Sequence, residues 1–183
     1  MSTCRWADSP REAASLRWAS VDFSSGTITL DGKTGKRTVP MGPYLAALLG
    51  DLRRIGLAVV PIDGSKPQAS LWVFPSVTSA SGHIVDASAA HGRLLAAAGL
   101  PHVSQRDLRR TYASLADSAG VPAGAILQIQ GHKPQSVHER HYVHREMAAL
   151  CEIQNRYEGW ILAQAGIEQP KADVAKPNTI NMI

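Results

Sequence analysis

The chain has 183 residues and a formal net charge of +4, from 19 Lys and Arg against 15 Asp and Glu. Its apolar content of 44% is ordinary for a folded domain and excludes a fully disordered chain. No stretch approaches the roughly 18 apolar residues of a membrane span, and the charged first residues differ from a signal peptide. Two cysteines are too few for a disulfide framework or a zinc knuckle.

The first third of the chain predicts a helix, a small sheet and a second helix. A serine, a proline and then a glutamate form a capping-box pattern at the start of a helix over 10–18. The β-branched residues of 21–41 are interrupted by SSG and DGKTGK, which predicts a small antiparallel sheet with two tight turns. Helical periodicity returns over 43–56, where the closing glycine is a suitable helix end.

The middle of the chain predicts loops, an extended segment and one helix. Residues 57–71 and 76–82 have the composition of loops, and 72–74 predicts a short strand or extended segment between them. Residues 83–100 predict a helix that ends near Gly99.

The remainder predicts helices, and 167–183 predicts a mobile tail. Ser104 and Asp107 repeat the capping signature at the start of a helix over 104–119. One face of that helix is expected to carry Leu108, Tyr112, Leu115 and Ala119. Further helices are predicted over 123–130, 136–142 and 146–165. One face of the last helix carries an apolar stripe that would pack either in the core of its own chain or against a partner protomer. The stripe consists of Leu150, Ile153, Tyr157 and Ile161.

This element order predicts an α+β fold that is mainly helical, with a small antiparallel sheet near the N-terminus packed on a helical bundle. We expect one domain over 1–166, followed by the tail.

Reactive side chains are concentrated in residues 101–145, which hold five of the seven histidines and a local charge of +3. Arg106 and Arg109 lie three residues apart at a helix start and are expected on one face. Guanidinium and imidazole groups bind phosphate oxygens, and a tyrosine hydroxyl can attack phosphorus. The segment therefore suits phosphodiester chemistry without a metal, and the sequence holds no zinc-ligand or P-loop motif.

The sequence resembles the catalytic domain of the tyrosine recombinase (phage integrase) family from about residue 12 to residue 166. The matching segments are, in chain order, EAASLRWASVDF, GKTGKRTVPM, DLRRTYASLA, IQGHKP and Tyr142.

The resemblance implies roles for individual residues. Tyr142 matches the nucleophile that forms a 3′-phosphotyrosyl link, and Arg109 matches the second catalytic arginine. His132 matches the histidine that donates to the scissile phosphate, and Lys33 matches the lysine that protonates the leaving 5′-oxygen. The resemblance further implies no cofactor and no metal, double-stranded DNA as partner, a homotetramer on DNA, and a cytoplasmic, nucleoid-associated protein without a membrane partner.

Two positions depart from the family pattern. Arg106 stands where the family has a histidine, and an arginine cannot accept a proton. The first catalytic arginine is expected three residues before Glu12, where this chain has Ser9. Either Arg5 takes that role behind an insertion, or the position is lost. The chain also begins at the first catalytic segment, so we expect it to lack the family's N-terminal core-binding domain.

The sequence leaves four functions open. The first is a DNA strand transferase in integration or excision of a mobile element. The second is a truncated, catalytically impaired remnant that still binds DNA. The third is a topoisomerase-like enzyme with the same chemistry and no strand exchange. The fourth is an unrelated helical protein in which the matching segments are coincidental.

Overall fold

The structure is a computed structural model that describes residues 9–32, 35–56, 58–59, 68–131 and 145–170. Six helices lie in these ranges: α1 (Ser9–Ala14), α2 (Pro43–Ile55), α3 (Ser88–Ala97), α4 (Gln105–Ser118), α5 (Ala123–Ile129) and α6 (Met147–Gln164). The strands are β1 (Val21–Asp22), β2 (Thr27–Gly32), β3 (Gly35–Pro40), β4 (Ala58–Val59) and β5 (Gln68–Ala69). The predicted α+β, mainly helical fold is confirmed.

The predicted small sheet is present as three antiparallel strands in the order β1-β2-β3. Ile28 pairs with Val39 and Leu30 pairs with Arg37, so these four side chains lie on one face of the β2–β3 hairpin. Val39 and Arg37 are half-buried, while Lys36 between them and the turn is exposed. This alternation places an arginine on the inner, otherwise apolar face of the sheet.

Three helices end at the glycines that the sequence predicted as helix ends. Gly56, Gly99 and Gly131 follow α2, α3 and α5 with φ values of +57°, +64° and +69°. Only glycine adopts this left-handed conformation at little cost, which confirms the three predicted helix ends.

Three predicted boundaries are wrong, each because a non-local pairing intervenes. The first helix ends at Ala14 instead of residue 18, since Arg17 forms a bridge with Trp72. Helix α3 begins at Ser88 instead of residue 83, since His83 bridges to Pro75. The predicted loop over 57–71 contains the paired strands β4 and β5. Over the predicted extended segment 72–74, Trp72 forms an isolated bridge with Arg17 and residues 73 and 74 are bends, and Val73 is fully buried.

The apolar residues form two clusters. The first joins the sheet, α2 and the extended segment, and its buried members are Leu16, Val21, Ile28, Met41, Leu49 and Val73. The second joins α4, α5 and α6, and its buried members are Ala116, Val121, Ala125, Ile126, Leu150 and Tyr157.

Helix α6 packs on its own chain. Leu150 and Tyr157 are buried in the second cluster, and Ile153 and Ile161 pack against it. The predicted stripe is therefore a core face. On α4, Tyr112, Leu115 and Ala119 pack against the same cluster as predicted. Leu108 belongs to the same predicted face but is 51% exposed in the first turn of α4.

Among the residues that the structure describes, none of the helices has the length and apolar character needed to cross a bilayer.

Candidate functional site

The start of α4 is fixed by the predicted capping box. The Ser104 hydroxyl accepts a hydrogen bond from the Asp107 N–H at 3.2 Å. The Asp107 carboxylate accepts from the Ser104 N–H at 3.1 Å and from its hydroxyl at 2.6 Å. These bonds lower the pKa of Asp107 and satisfy N–H groups that a helix start leaves without partners. The helix therefore begins at a defined residue, which fixes the direction of the arginines that follow.

The three arginines of α4 point to different surroundings. Arg106 and Arg110 are exposed, and Arg110 lies 3.9 Å from the Asp107 carboxylate. Arg109 alone of the three is half-buried. Both Arg106 and Arg109 lie in α4 three residues apart, and of the two Arg109 is the less exposed.

Arg109 is connected to the end of α5 in both directions. Its Nη2 donates to the Gln130 carbonyl oxygen at 2.8 Å. The Gln130 side-chain amide donates to the Arg109 carbonyl oxygen at 3.3 Å. These two hydrogen bonds fix the position of the Arg109 guanidinium relative to Gln130.

A cavity of about 240 Å³ lies between the sheet and the helical cluster. Its polar wall is formed by Arg37, Arg109 and Gln130, and its apolar wall includes Leu30 and Ile129. Two guanidinium groups from elements far apart in sequence thus border one hollow. Paired guanidinium groups attract anions, and phosphate oxygens match their geometry.

An ion pair joins α1 to the sheet beside this cavity. Arg37 Nη1 donates to Glu12 Oε1 at 3.0 Å, and Nη2 donates to Oε2 at 2.6 Å. The Glu12 side chain is 8% exposed and the Arg37 side chain 20% exposed. The sequence pattern predicted a helix-capping role for Glu12 and no role for Arg37. The available signal was the alternation in β3, which aligns Arg37 with the inward Val39.

The charges of Arg37 and Glu12 change the pKa of Arg109. Burial lowers the pKa of Arg109 first, and the nearby Arg37 guanidinium lowers it further, whereas the Glu12 carboxylate raises it. Arg109 stays protonated at neutral pH, because a guanidinium titrates far above it. An anion in the cavity would relieve the repulsion between the two cations.

Four predicted site residues lie outside the described residues: Arg5, Lys33, His132 and Tyr142. The predicted helix over 136–142 also lies outside them. The structure does describe the residues just before two of them in the chain: Gly32 precedes Lys33, and Gly131 precedes His132.

The segment from 132 to 144 lies outside the described residues, but the described residues on either side of it both adjoin α5. It follows Gly131, where the Arg109–Gln130 contacts lie. At the other end, the Gln128 amide donates to the Arg145 carbonyl oxygen at 2.8 Å, and its oxygen accepts from the Arg145 N–H at 3.1 Å. Gly131 and Arg145 therefore both lie at α5.

Two other tyrosines are unsuited to act as nucleophiles. The Tyr112 hydroxyl donates to Gln154 Oε1 at 2.6 Å, and burial raises its pKa. The Tyr157 hydroxyl donates to the Tyr112 carbonyl oxygen, and burial raises the pKa of Tyr157 to about 12. Both hydroxyls have partners inside the second cluster.

Within the described ranges, no group of three or more His, Cys, Asp or Glu side chains is arranged to hold a metal ion.

Comparisons with known proteins agree on one family. Residues 10–149 match the model of the phage integrase family. The chain is 40% identical over 157 residues to the prophage integrase IntF of Escherichia coli (strain K12), covering 85% of this chain and 32% of that relative. It spans about a third of the length of that curated relative.

A solved structure shows the same fold. The crystal structure of XerA recombinase superposes with a TM-score of 0.51 at 23% identity, covering 84% of this chain and 52% of the other.

Proposed function

The chain belongs to the phage integrase family, and from that premise we propose that it is the catalytic domain of a site-specific DNA recombinase. Its substrate is double-stranded DNA, and its process is integration or excision of a mobile element. Following the family pattern, it acts as a homotetramer on DNA, in the cytoplasm with the nucleoid.

The proposed reaction is a transesterification that conserves the phosphodiester energy. The Tyr142 hydroxyl loses its proton to water as its oxygen bonds to the scissile phosphorus, and the bond between phosphorus and the 5′-oxygen breaks. Lys33 supplies the proton that converts the leaving oxygen into a 5′-hydroxyl. The 3′-phosphotyrosyl bond then stores the energy for religation, so no metal or nucleotide is required.

Arg109 is the described residue that supports this proposal. It borders the cavity, is half-buried, and donates to the carbonyl oxygen of Gln130, two residues before His132 in the chain. Fixed donors of this kind stabilise the extra negative charge of a pentavalent phosphorus without reorganising. His132 would add a further hydrogen bond to the same phosphate.

The burial of other tyrosines also favours Tyr142. Tyr112 and Tyr157 are committed to hydrogen bonds inside the helical cluster. Tyr44 lies on α2 and is 39% exposed, away from the segments that match the family. Tyr142 is the remaining one of the four tyrosines, and in sequence it lies between Gly131 and Arg145.

One observation favours the second candidate, a remnant that binds DNA without cleaving it. Ser9 occupies the place of the first catalytic arginine. Removing one group that stabilises a transition-state oxyanion costs a factor on the order of 10²–10³ in rate. The remnant would bind duplex DNA in a salt-dependent way and form no covalent adduct.

A nicked suicide DNA substrate distinguishes the two candidates. Wild-type protein is expected to form a covalent protein–DNA adduct that survives denaturation, and Tyr142→Phe is expected to form none. Arg109→Ala should slow adduct formation by a factor on the order of 10²–10³, since the phosphate loses a charged donor. Tyr44→Phe is the matched control, because Tyr44 is exposed and outside the site.

Each other outcome decides against strand transfer by Tyr142. Salt-sensitive DNA binding with no wild-type adduct supports the remnant. Relaxation of supercoiled plasmid without joined products from two duplexes supports the topoisomerase-like alternative. An adduct that persists in Tyr142→Phe excludes Tyr142 as the nucleophile.

A further inference from the structure

The ion pair between Glu12 and Arg37 contacts two glycines. A Cβ atom on Gly32 would lie 2.0 Å from Glu12 Oε1. A Cβ atom on Gly131 would lie 2.7 Å from both Cδ and Nε of Arg37. The paired side chains therefore rest directly on the backbone at both positions. Gly131 also needs glycine for its φ of +69°, but Gly32 has an ordinary φ, so there the carboxylate alone requires it.

These two glycines adjoin the proposed chemistry. Gly32 precedes Lys33 at the end of β2, and Gly131 precedes His132 at the end of α5. Arg37 also borders the cavity together with Arg109. One buried ion pair thus contacts the backbone before two proposed catalytic residues and lies beside a third.

Arg37 is poorly suited to act as the first catalytic arginine. Both of its terminal nitrogens face the Glu12 carboxylate, which compensates its charge. Its Nε is buried and has no hydrogen-bond partner among the described residues. A compensated guanidinium attracts a DNA phosphate far less than an uncompensated one.

We propose, on the basis of the strand-transfer function, that Arg37 is a positioning residue, and that its bidentate pair with Glu12 fixes the spacing of the β2–β3 hairpin, the end of α5 and Arg109. It does not bind the scissile phosphate. The pair acts as one unit, so loss of either partner has the effect of losing both.

A double-mutant cycle tests this role. The variants are Glu12→Gln, Arg37→Gln and the combination of both, with Thr38→Ala as a control on the exposed face of β3. Each single variant should slow single-turnover adduct formation, by a factor on the order of 10², as expected for a misplaced catalytic group. The combined variant should be no slower than either single variant, because the two residues act together. DNA affinity should be unchanged in all of them.

A phosphate-binding Arg37 gives a different result. Arg37→Gln would then weaken DNA binding, Arg37→Lys would restore it by its charge, and Glu12→Gln would leave or raise the rate, because it frees the guanidinium. Any of these results overturns the positioning role. In the proposed role, Arg37→Lys is slow as well, since an ammonium cannot form the two-pronged pair.

Amide hydrogen exchange separates this inference from the strand-transfer proposal. Glu12→Gln and Arg37→Gln should raise exchange severalfold in peptides covering 28–40 and 126–131, while peptides from α6 stay protected. This expectation holds even if wild-type protein forms no adduct. Unchanged exchange at both sites refutes the positioning role, and loss of protection in α6 as well shows a general structural role instead.

Discussion

At the scale of single residues, Tyr157 shows how burial controls a titratable group. Tyr157 is 1% exposed. The centroid of its ring lies 4.9 Å from the centroid of the Tyr112 ring. Its hydroxyl donates to the Tyr112 carbonyl oxygen. Ionising this phenol in place would leave a charge in an apolar cluster, which explains why burial raises its pKa to about 12.

This raised pKa predicts a loss of stability at high pH. The unfolded state has the ordinary pKa of 10 and releases its proton first, so the stabilisation is complete below pH 10 and is lost as the pH rises towards 12. Urea midpoints measured over that range should fall more steeply for wild type than for Tyr157→Phe. Parallel pH profiles would show that the Tyr157 hydroxyl does not contribute to the pH dependence.

At the scale of elements, α4 depends on its first turn. The reciprocal bonds of Ser104 and Asp107 determine where the helix begins, and Arg109 follows one turn later. Ser104→Ala removes the side-chain oxygen that accepts from the Asp107 N–H. We expect the free energy of unfolding to fall by about 1 kcal/mol, the usual cost of losing such a cap.

Ser114→Ala is the control for this substitution, since Ser114 is exposed on the same helix and alanine favours helices. It should be neutral or slightly stabilising. Chemical denaturation of both variants provides the measurement, and equal losses would show that the effect is not specific to the cap.

Local signals in the sequence predicted several helix starts and ends but not the contacts between distant elements. The cap of α4 and the glycines after α2 and α5 act within a few residues, so their patterns predicted the structure. The Glu12–Arg37 pair spans 25 residues and exists only because α1 packs against the sheet. Its burial therefore had no local signature beyond an arginine in line with Val39.

The candidate site was predictable only to the extent that motifs specify it. The segment DLRRTYASLA identified Arg109, and the structure places it at a cavity. The exposure of Arg106 and Leu108 followed from how far the first turn of α4 extends beyond the helical cluster, which periodicity does not specify. The roles of Lys33, His132 and Tyr142 stay predictions, because these residues lie outside the described ranges.

At the scale of the whole molecule, a half-buried carboxylate helps to join the two apolar clusters. Glu158 of α6 accepts hydrogen bonds from the Tyr44 N–H at 2.7 Å and the Leu45 N–H at 3.2 Å. These are N–H groups at the start of α2, where negative charge is favoured. A Cβ atom on Gly42 would lie 2.4 Å from this carboxylate, so glycine makes room for the contact.

Glu158→Gln should therefore destabilise α2 more than α6. The amide keeps the size of the side chain but loses the charge and turns one acceptor into a donor facing N–H groups. We expect a loss of about 1–2 kcal/mol in unfolding free energy and faster amide exchange in α2, while Glu152→Gln, exposed on the same helix, leaves both unchanged. Because Glu158 belongs to the helical half and α2 to the sheet half, selective exchange in α2 would show that this carboxylate couples the halves. Equal acceleration in α2 and α6 would instead mean that the clusters unfold together and that the coupling lies elsewhere.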